Sequence, residues 1–178
     1  MTDKISTASY TKKLVVAASS SFFLAVLATM GVLAWAGWLS LPEDSRQTAV
    51  HDMGVQVMPF DLGQTTHIFE MTQSGGIQQV VARDPGDEAQ IALIQQHIQH
   101  EVLRFKEGDF SDPSTLHGGD MPGVPELTGG AGQISIEYTA LADGAQITFT
   151  TEDAQLITAI HRWFGAQLSD HGADATTR

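Results

Sequence analysis

Six side chains of metal-ligand type stand out in this sequence: His67, Met71, His117, Met121, His161 and His171. His67 and Met71 are four positions apart, as are His117 and Met121. The second pair sits in the glycine- and proline-bearing run Leu116-His117-Gly118-Gly119-Asp120-Met121-Pro122-Gly123. Imidazole and thioether together favour copper, above all Cu(I), whereas imidazole alone also suits Cu(II), zinc or nickel. A haem ligated by His and Met is the weaker form of the same idea, because no CxxCH attachment exists. The chain has no cysteine at all. That excludes a disulfide scaffold, a thiolate nucleophile, an Fe–S cluster and a thiolate zinc site. The His-x3-Met spacing is not specific in itself. A lone histidine on an apolar face is more often a hydrogen-bonded core residue, and Met71 has a plain reading as core filler.

Chemistry without a metal has less to stand on. There is no nucleophile elbow, no HExxH and no phosphate loop. Asp170-His171 and His117 with Asp120 are the pairs suited to acid and base roles. Asp109, Asp112 and Asp120 surround the same glycine-rich run, but without the spacing of an EF-hand, and they read as solvated carboxylates. Binding is expected here rather than catalysis.

The elements that must position these residues follow from periodicity. Residues 65–72 alternate, placing His67, Phe69 and Met71 on one face of a strand. Ser74-Gly75-Gly76 turns the chain, and residues 77–82 return. Asp84-Pro85-Gly86-Asp87 breaks the strand and caps a helix running to about residue 106. Its Ile91, Ile94, Ile98, Val102 and Phe105 recur at spacings of three and four, with His97 at the margin of that stripe. Residues 108–132, rich in Gly, Pro and Asp, read as one long loop, which is uncommon in a compact domain unless functional. A second hairpin is expected over 133–139 and 146–150 around Asp143-Gly144. A last helix starts at Thr151-Glu152-Asp153 and carries Ile157, Ile160, Phe164 and Leu168 on its apolar side. His161 falls within that stripe and His171 at its end. Gly172 stops the helix, and residues 173–178 are expected to fray. Residues 55–61, with Pro59, suit an edge strand or extended lead-in.

The order hairpin–helix–hairpin–helix predicts an α+β fold, a two-layer sandwich with an antiparallel sheet of about four strands under two helices. Asp87-Glu88-Ala89-Gln90-Ile91 echoes Glu152-Asp153-Ala154-Gln155-Leu156. In such a body the connector between the halves carries His117 and Met121 over the strand and helix histidines.

Residues 14–41 contain no charge and are mostly apolar, long enough for a membrane helix, which needs about 20 residues. Trp35 and Trp38 lie near its far end, where an aromatic belt belongs. Lys12 and Lys13 precede it, and Glu43 and Asp44 follow. The positive-inside rule therefore leaves residues 1–13 in the cytoplasm, makes 42–53 a polar, partly helical tether, and puts a domain over 54–172 outside. The alternative is a cleaved signal peptide with Ala34-Trp35-Ala36 as its site, against which the apolar run exceeds the roughly 7–15 residues of a signal core. Both readings place the body in the same compartment. The formal net charge is −12. Residues 1–41 carry three lysines against one aspartate, a net +2, which leaves −14 for the rest. Phosphate backbones repel so acidic a body, so nucleic acid is excluded as a partner. The lipid bilayer remains. So does a larger membrane complex, since Ser19, Ser20, Ser21, Ala28 and Gly31 permit close helix packing.

The run MPFDLGQTTHIFEMTQSGGIQQVVARD, the loop HGGDMPG and the ending HRWFGAQLSDHG together resemble a family of small exported bacterial proteins without an assigned activity. The resemblance covers about residues 54–175. Some members carry the name aspartate carbamoyltransferase. This chain lacks the Ser-Thr-Arg-Thr-Arg type phosphate loop of that enzyme, and it is too short and too poor in basic residues to hold carbamoyl phosphate. The resemblance implies interest in His67, His117, Met121, His161 and His171, which occupy positions of the family pattern. It also implies a bacterial inner-membrane setting with the body in the periplasm. Members often begin with an ordinary signal peptide, so the long apolar segment is a departure that suits retention beside a membrane partner. The expectation is a membrane-anchored periplasmic domain with a His/Met copper site. The alternative is a non-enzymatic accessory subunit docked by its single membrane helix into a larger complex.

Overall fold

The polar stretch after residue 42, expected to be partly helical, folds as helix α1 (Glu43–Val57). The structure, a computed structural model, describes residues 43–178. The expected cytoplasmic N-terminus and the membrane segment over 14–41 lie outside the described residues. Among the described residues no helix is long and apolar enough to cross a membrane. Helix α1 escapes a periodicity search because it offers the core little: Val50 is buried, while Arg46 and His51 are exposed. It packs on the last helix through polar groups. Its end also takes up residues 55–57, where an extended lead-in was expected, and the Met58 amide closes the last turn on the Gly54 carbonyl at 2.7 Å.

Strict alternation then does what it predicts. Strand β1 (Thr65–Thr72) buries Thr65, His67 and Phe69. Strand β2 (Gly75–Ala82) returns antiparallel, with Val80 opposite His67 and Gln78 opposite Phe69. Asp87 caps helix α2 (Glu88–Lys106), its side chain accepting from the Gln90 amide at 3.0 Å. The buried stripe of α2 is the predicted one, widened to include His97 and Glu101.

The expected long loop instead holds two short helices, α3 (Ser111–His117) and α4 (Val124–Gly130). Pro113 and Pro125 read as breakers, but each sits in a first helical turn, where the missing N–H is no loss. Gly118, at φ 96°, ends α3 immediately after His117, and its amide returns to the Ser114 carbonyl. Gly123, at φ 88°, opens α4.

The second hairpin forms from β3 (Ser135–Leu141) and β4 (Gly144–Thr150), and Asp153 caps helix α5 (Ala154–His171). The tail does not fray. Ala175–Thr177 forms β5, parallel to β1 with Ala175 opposite His67. Three apolar-poor residues give no pattern to read; what holds them is tertiary, with Arg83 donating to Asp174 at 2.8 Å and the Arg178 amide to the Phe69 carbonyl. The sheet therefore has five strands in the order β3-β4-β2-β1-β5, antiparallel but for the β1–β5 edge. The expected four-stranded sheet is correct except for this added edge, and α2 and α5 cover its buried face.

Trp163 of α5 centres the core. Its ring meets Phe105, Phe110 and Phe149 edge-on at centroid distances of 5.7, 5.5 and 5.6 Å, each such pair adding about 1 kcal/mol beyond area burial. A Cβ on Gly123 would lie 2.2 Å from the Ala159 carbonyl oxygen of this same helix. Gly123→Ala is therefore expected to cost about 2 kcal/mol, from a disallowed φ and a steric clash together. Urea denaturation followed by tryptophan fluorescence measures it, and an unchanged midpoint would refute the constraint.

Candidate functional site

Helices α2, α3 and α5 end or turn their polar margins toward the buried face of β1 and β2, and a small cavity remains between them. It offers ≈ 30 Å³ to the centres of water-sized spheres, room for about two waters, or for one ion and a water, at about 10–15 Å³ each. Four imidazoles line it: His67, His97, His117 and His171. So do the carboxyl groups of Glu101 and Asp112, the amides of Gln78 and Gln167, and the thioether of Met58.

Three of the six predicted ligands meet here. The His67 and His171 rings stack at a centroid distance of 4.6 Å with an interplanar angle of 16°. His117 approaches His171 edge-on at 4.9 Å. The other three lie elsewhere. His161 is pinned at the β1–β2 turn, where its Nε2 donates to the carbonyls of Thr72 (3.0 Å) and Gly75 (2.9 Å), a satisfied structural histidine. Met71 is at the far end of β1 and 47% exposed, and Met121 is buried in the apolar core. Alternation put His67 and Met71 on the same face correctly, but at opposite ends of the strand. Among the described residues no three His, Asp or Glu side chains stand in ligand geometry for a metal ion. The His67 and His171 rings lie nearly parallel instead.

Behind His117 stands a carboxylate that the sequence pairs with the wrong histidine. Asp170 Oδ2 is 3.0 Å from His117 Nδ1, not bonded to its neighbour His171. Arg46 of α1 engages both Asp170 oxygens, at 2.7 Å for Oδ2, and donates to the His117 carbonyl at 3.0 Å. Burial pushes the Asp170 carboxyl up, but the hydrogen bonds from Arg46 and His117 outweigh it and hold the group below its ordinary value. Burial lowers His117 despite Asp170. An ionised carboxylate only accepts, so the neutral His117 ring donates from Nδ1 and carries its lone pair on Nε2. Nothing in the local sequence announces Arg46 or Asp170 as partners, because they are brought together across the whole domain.

Burial keeps the other rings neutral as well. It pushes His67 down to about 4, with His117 and His97 adding to the effect. It brings His97 to about 4 against the opposing pull of Asp112, and it sets His171 well below its usual value, helped by His67 and His117. Glu101, one helical turn beyond His97, goes the other way: burial and the neighbouring Asp112 raise it to about 8. Arg104 holds Asp112 and Asp109, yet stands 3.6 Å from Glu101 Oε1, beyond hydrogen-bond length.

Five buried polar atoms among the described residues have no hydrogen-bond partner: His67 Nδ1, Gln78 Oε1, Glu101 Oε1, Trp163 Nε1 and Gln167 Oε1. All five belong to residues that line this one cavity. No family model, no curated protein and no solved structure matches the chain.

Histidines held neutral by folding make the unfolded chain the better proton acceptor between about pH 4 and the ordinary value of 6.5. Stability is thus complete above pH 6.5 and falls on acidification through that window, by roughly 1.4 kcal/mol per pH unit for each histidine. Glu101 acts oppositely: its contribution is complete below the unfolded value near 4.5 and is lost as pH rises toward about 8. Denaturation midpoints measured across pH should peak near pH 6.5 and decline more steeply on the acid side. A flat profile from pH 4.5 to 6.5 would contradict the neutral buried imidazoles.

Proposed function

We propose that this chain is a membrane-tethered domain on the periplasmic side of a bacterial inner membrane, and that it binds a transition-metal ion, copper foremost, in the histidine-lined cavity. The observation that carries the reading is that His67, His117 and His171 line one cavity as neutral imidazoles, with Asp170 behind His117. Neutral imidazole is the ligating form. A carboxylate on the far ring nitrogen is the usual orienting partner of a metal-bound histidine. Binding draws His67 and His171 out of their stack so that lone pairs point inward.

The ligand set differs from the one expected. His67, His117 and His171 stay; Met71, Met121 and His161 leave; His97 and the Met58 thioether join at the wall. Imidazoles with a single adjacent thioether still suit copper, and imidazoles alone serve zinc or nickel. The tether and the compartment rest on the uncharged run over 14–41 with lysines before it and acids after it.

Titration of the detergent-solubilised full chain with Cu(I), Cu(II) and Zn(II) tests the reading. One equivalent of copper is expected to bind, with at least about a tenfold loss of affinity in His117→Ala, in His171→Ala and, through the orienting carboxylate, in Asp170→Asn. Met71→Leu should bind as the parent does. Undiminished affinity in a His117→Ala/His171→Ala double variant would sink the proposal.

A further inference from the structure

Helix α1 is seated closely and held weakly. Two glycines shape the seat: Gln47 fills the space that a Cβ on Gly172 would need, and Leu62 fills the space beside Gly54. The apolar grip is slight. Among the described residues α1 gives the core Val50 alone, where α2 gives Ile91, Ile94, Ile98, Val102 and Phe105. Polar contacts supply the rest of the hold. Arg46 engages both Asp170 oxygens and the His117 carbonyl, and Gln47 Nε2 donates to the Ser169 carbonyl at 3.2 Å. The Arg46 side chain is 58% exposed, so water and salt compete for its ion pair. A helix of 15 residues is marginal without tertiary support, and elements with few buried apolar contacts are the first to open.

What α1 covers belongs to the site. A second cavity lies under it, ≈ 10 Å³ by the same measure as the first, room for about one water. Gln47, Val50 and His51 line it from α1, and Asp170, His171 and Asp174 from the end of α5 and the turn beyond. His171 lines the histidine cavity too, so one residue borders both. With α1 seated, His171 and Asp170 are buried.

We propose that α1 is a clasp on the histidine site. It leaves its seat while the sheet and helices α2 to α5 stay folded. Its departure bares His171 and Asp170 to solvent and takes Arg46 away from the carboxylate that bonds His117. The clasp governs access to His171 whatever the cavity holds, so it stands apart from the metal reading.

The test uses the full chain in detergent without added metal. Diethyl pyrocarbonate acylates accessible neutral imidazoles, and peptide mass spectrometry reads each histidine separately. His51, exposed on α1, marks a freely reached ring, and His161, pinned at the β1–β2 turn, marks the body. In Arg46→Met, His171 should acylate at least about tenfold faster than in the parent, the population change that follows from losing a charge-assisted hydrogen bond. His161 should keep its parental rate. The chain has no cysteine, so a Gln47→Cys/Ser169→Cys variant can be bridged by a short bismaleimide. The bridge should slow His171 below the parental rate and leave His51 reactive. His171 acylated as fast with the bridge as without it overturns the proposal, and so does an unchanged rate in Arg46→Met. Where Arg46→Met accelerates His161 as well, the domain has loosened as a whole, and the bridged variant decides by the same reading.

Discussion

Asp170 is 3% exposed and ionised, a combination that burial alone makes expensive and that persists because both oxygens are engaged. Arg46 reaches them from α1 and His117 from α3, so three segments far apart in sequence close on one carboxylate. The same contact decides the chemistry of the cavity: it fixes which nitrogen of His117 carries the proton and therefore where its lone pair points. Taking away Arg46 leaves a buried charge with half its partners, and the ring it orients loses its reference. The first described helix is thus also the one that holds the site's orienting group in place.

Two ways of treating polarity meet in this domain. Around Trp163 the core is aromatic and close-packed, with Phe105, Phe110 and Phe149 fitted edge to face and Phe164 tilted against it. In the cavity that the same residue lines, amide and carboxyl oxygens and its own indole N–H have no hydrogen-bond partner. An unmet buried hydrogen bond costs about 1–3 kcal/mol, so the cavity lowers stability that the aromatic core supplies. Proteins bear such local losses where function requires them. Here the losses share one address.

Much of this fold is readable from the sequence, for physical reasons that also say where reading stops. Alternation of period two names β1 and the second hairpin, because a half-buried strand must alternate. Helical periodicity names α2 and α5 from their isoleucines and phenylalanines. Helix α1 and strand β5 stay hidden because polar contacts hold them, with Arg46 on Asp170 and Arg83 on Asp174, and polar contacts leave no periodic trace. Helices α3 and α4 hide behind prolines that signal breaks only when their place in the turn is unknown. For the site, His67, His117 and His171 follow from residue type and face. Met71 lies away from the site because a face does not specify which end of a strand, His161 because two turn carbonyls take its ring, and Met121 because its thioether is buried in the apolar core. Glu101 and Gln167 were invisible, since a polar residue within a helix reads as solvent-facing until packing shows otherwise.

The chain leaves α5 at His171, makes one turn over Gly172–Asp174, and by Ala175 is hydrogen-bonded alongside His67. The two stacked imidazoles are therefore joined by a short backbone circuit, anchored by a helix at one end and a sheet at the other. Closing so small a circuit costs little entropy, and its length limits how far the backbones of the two residues can separate. The pair is thus held by backbone at a fixed remove, and rings drawn out of their stack must turn about their own side-chain bonds.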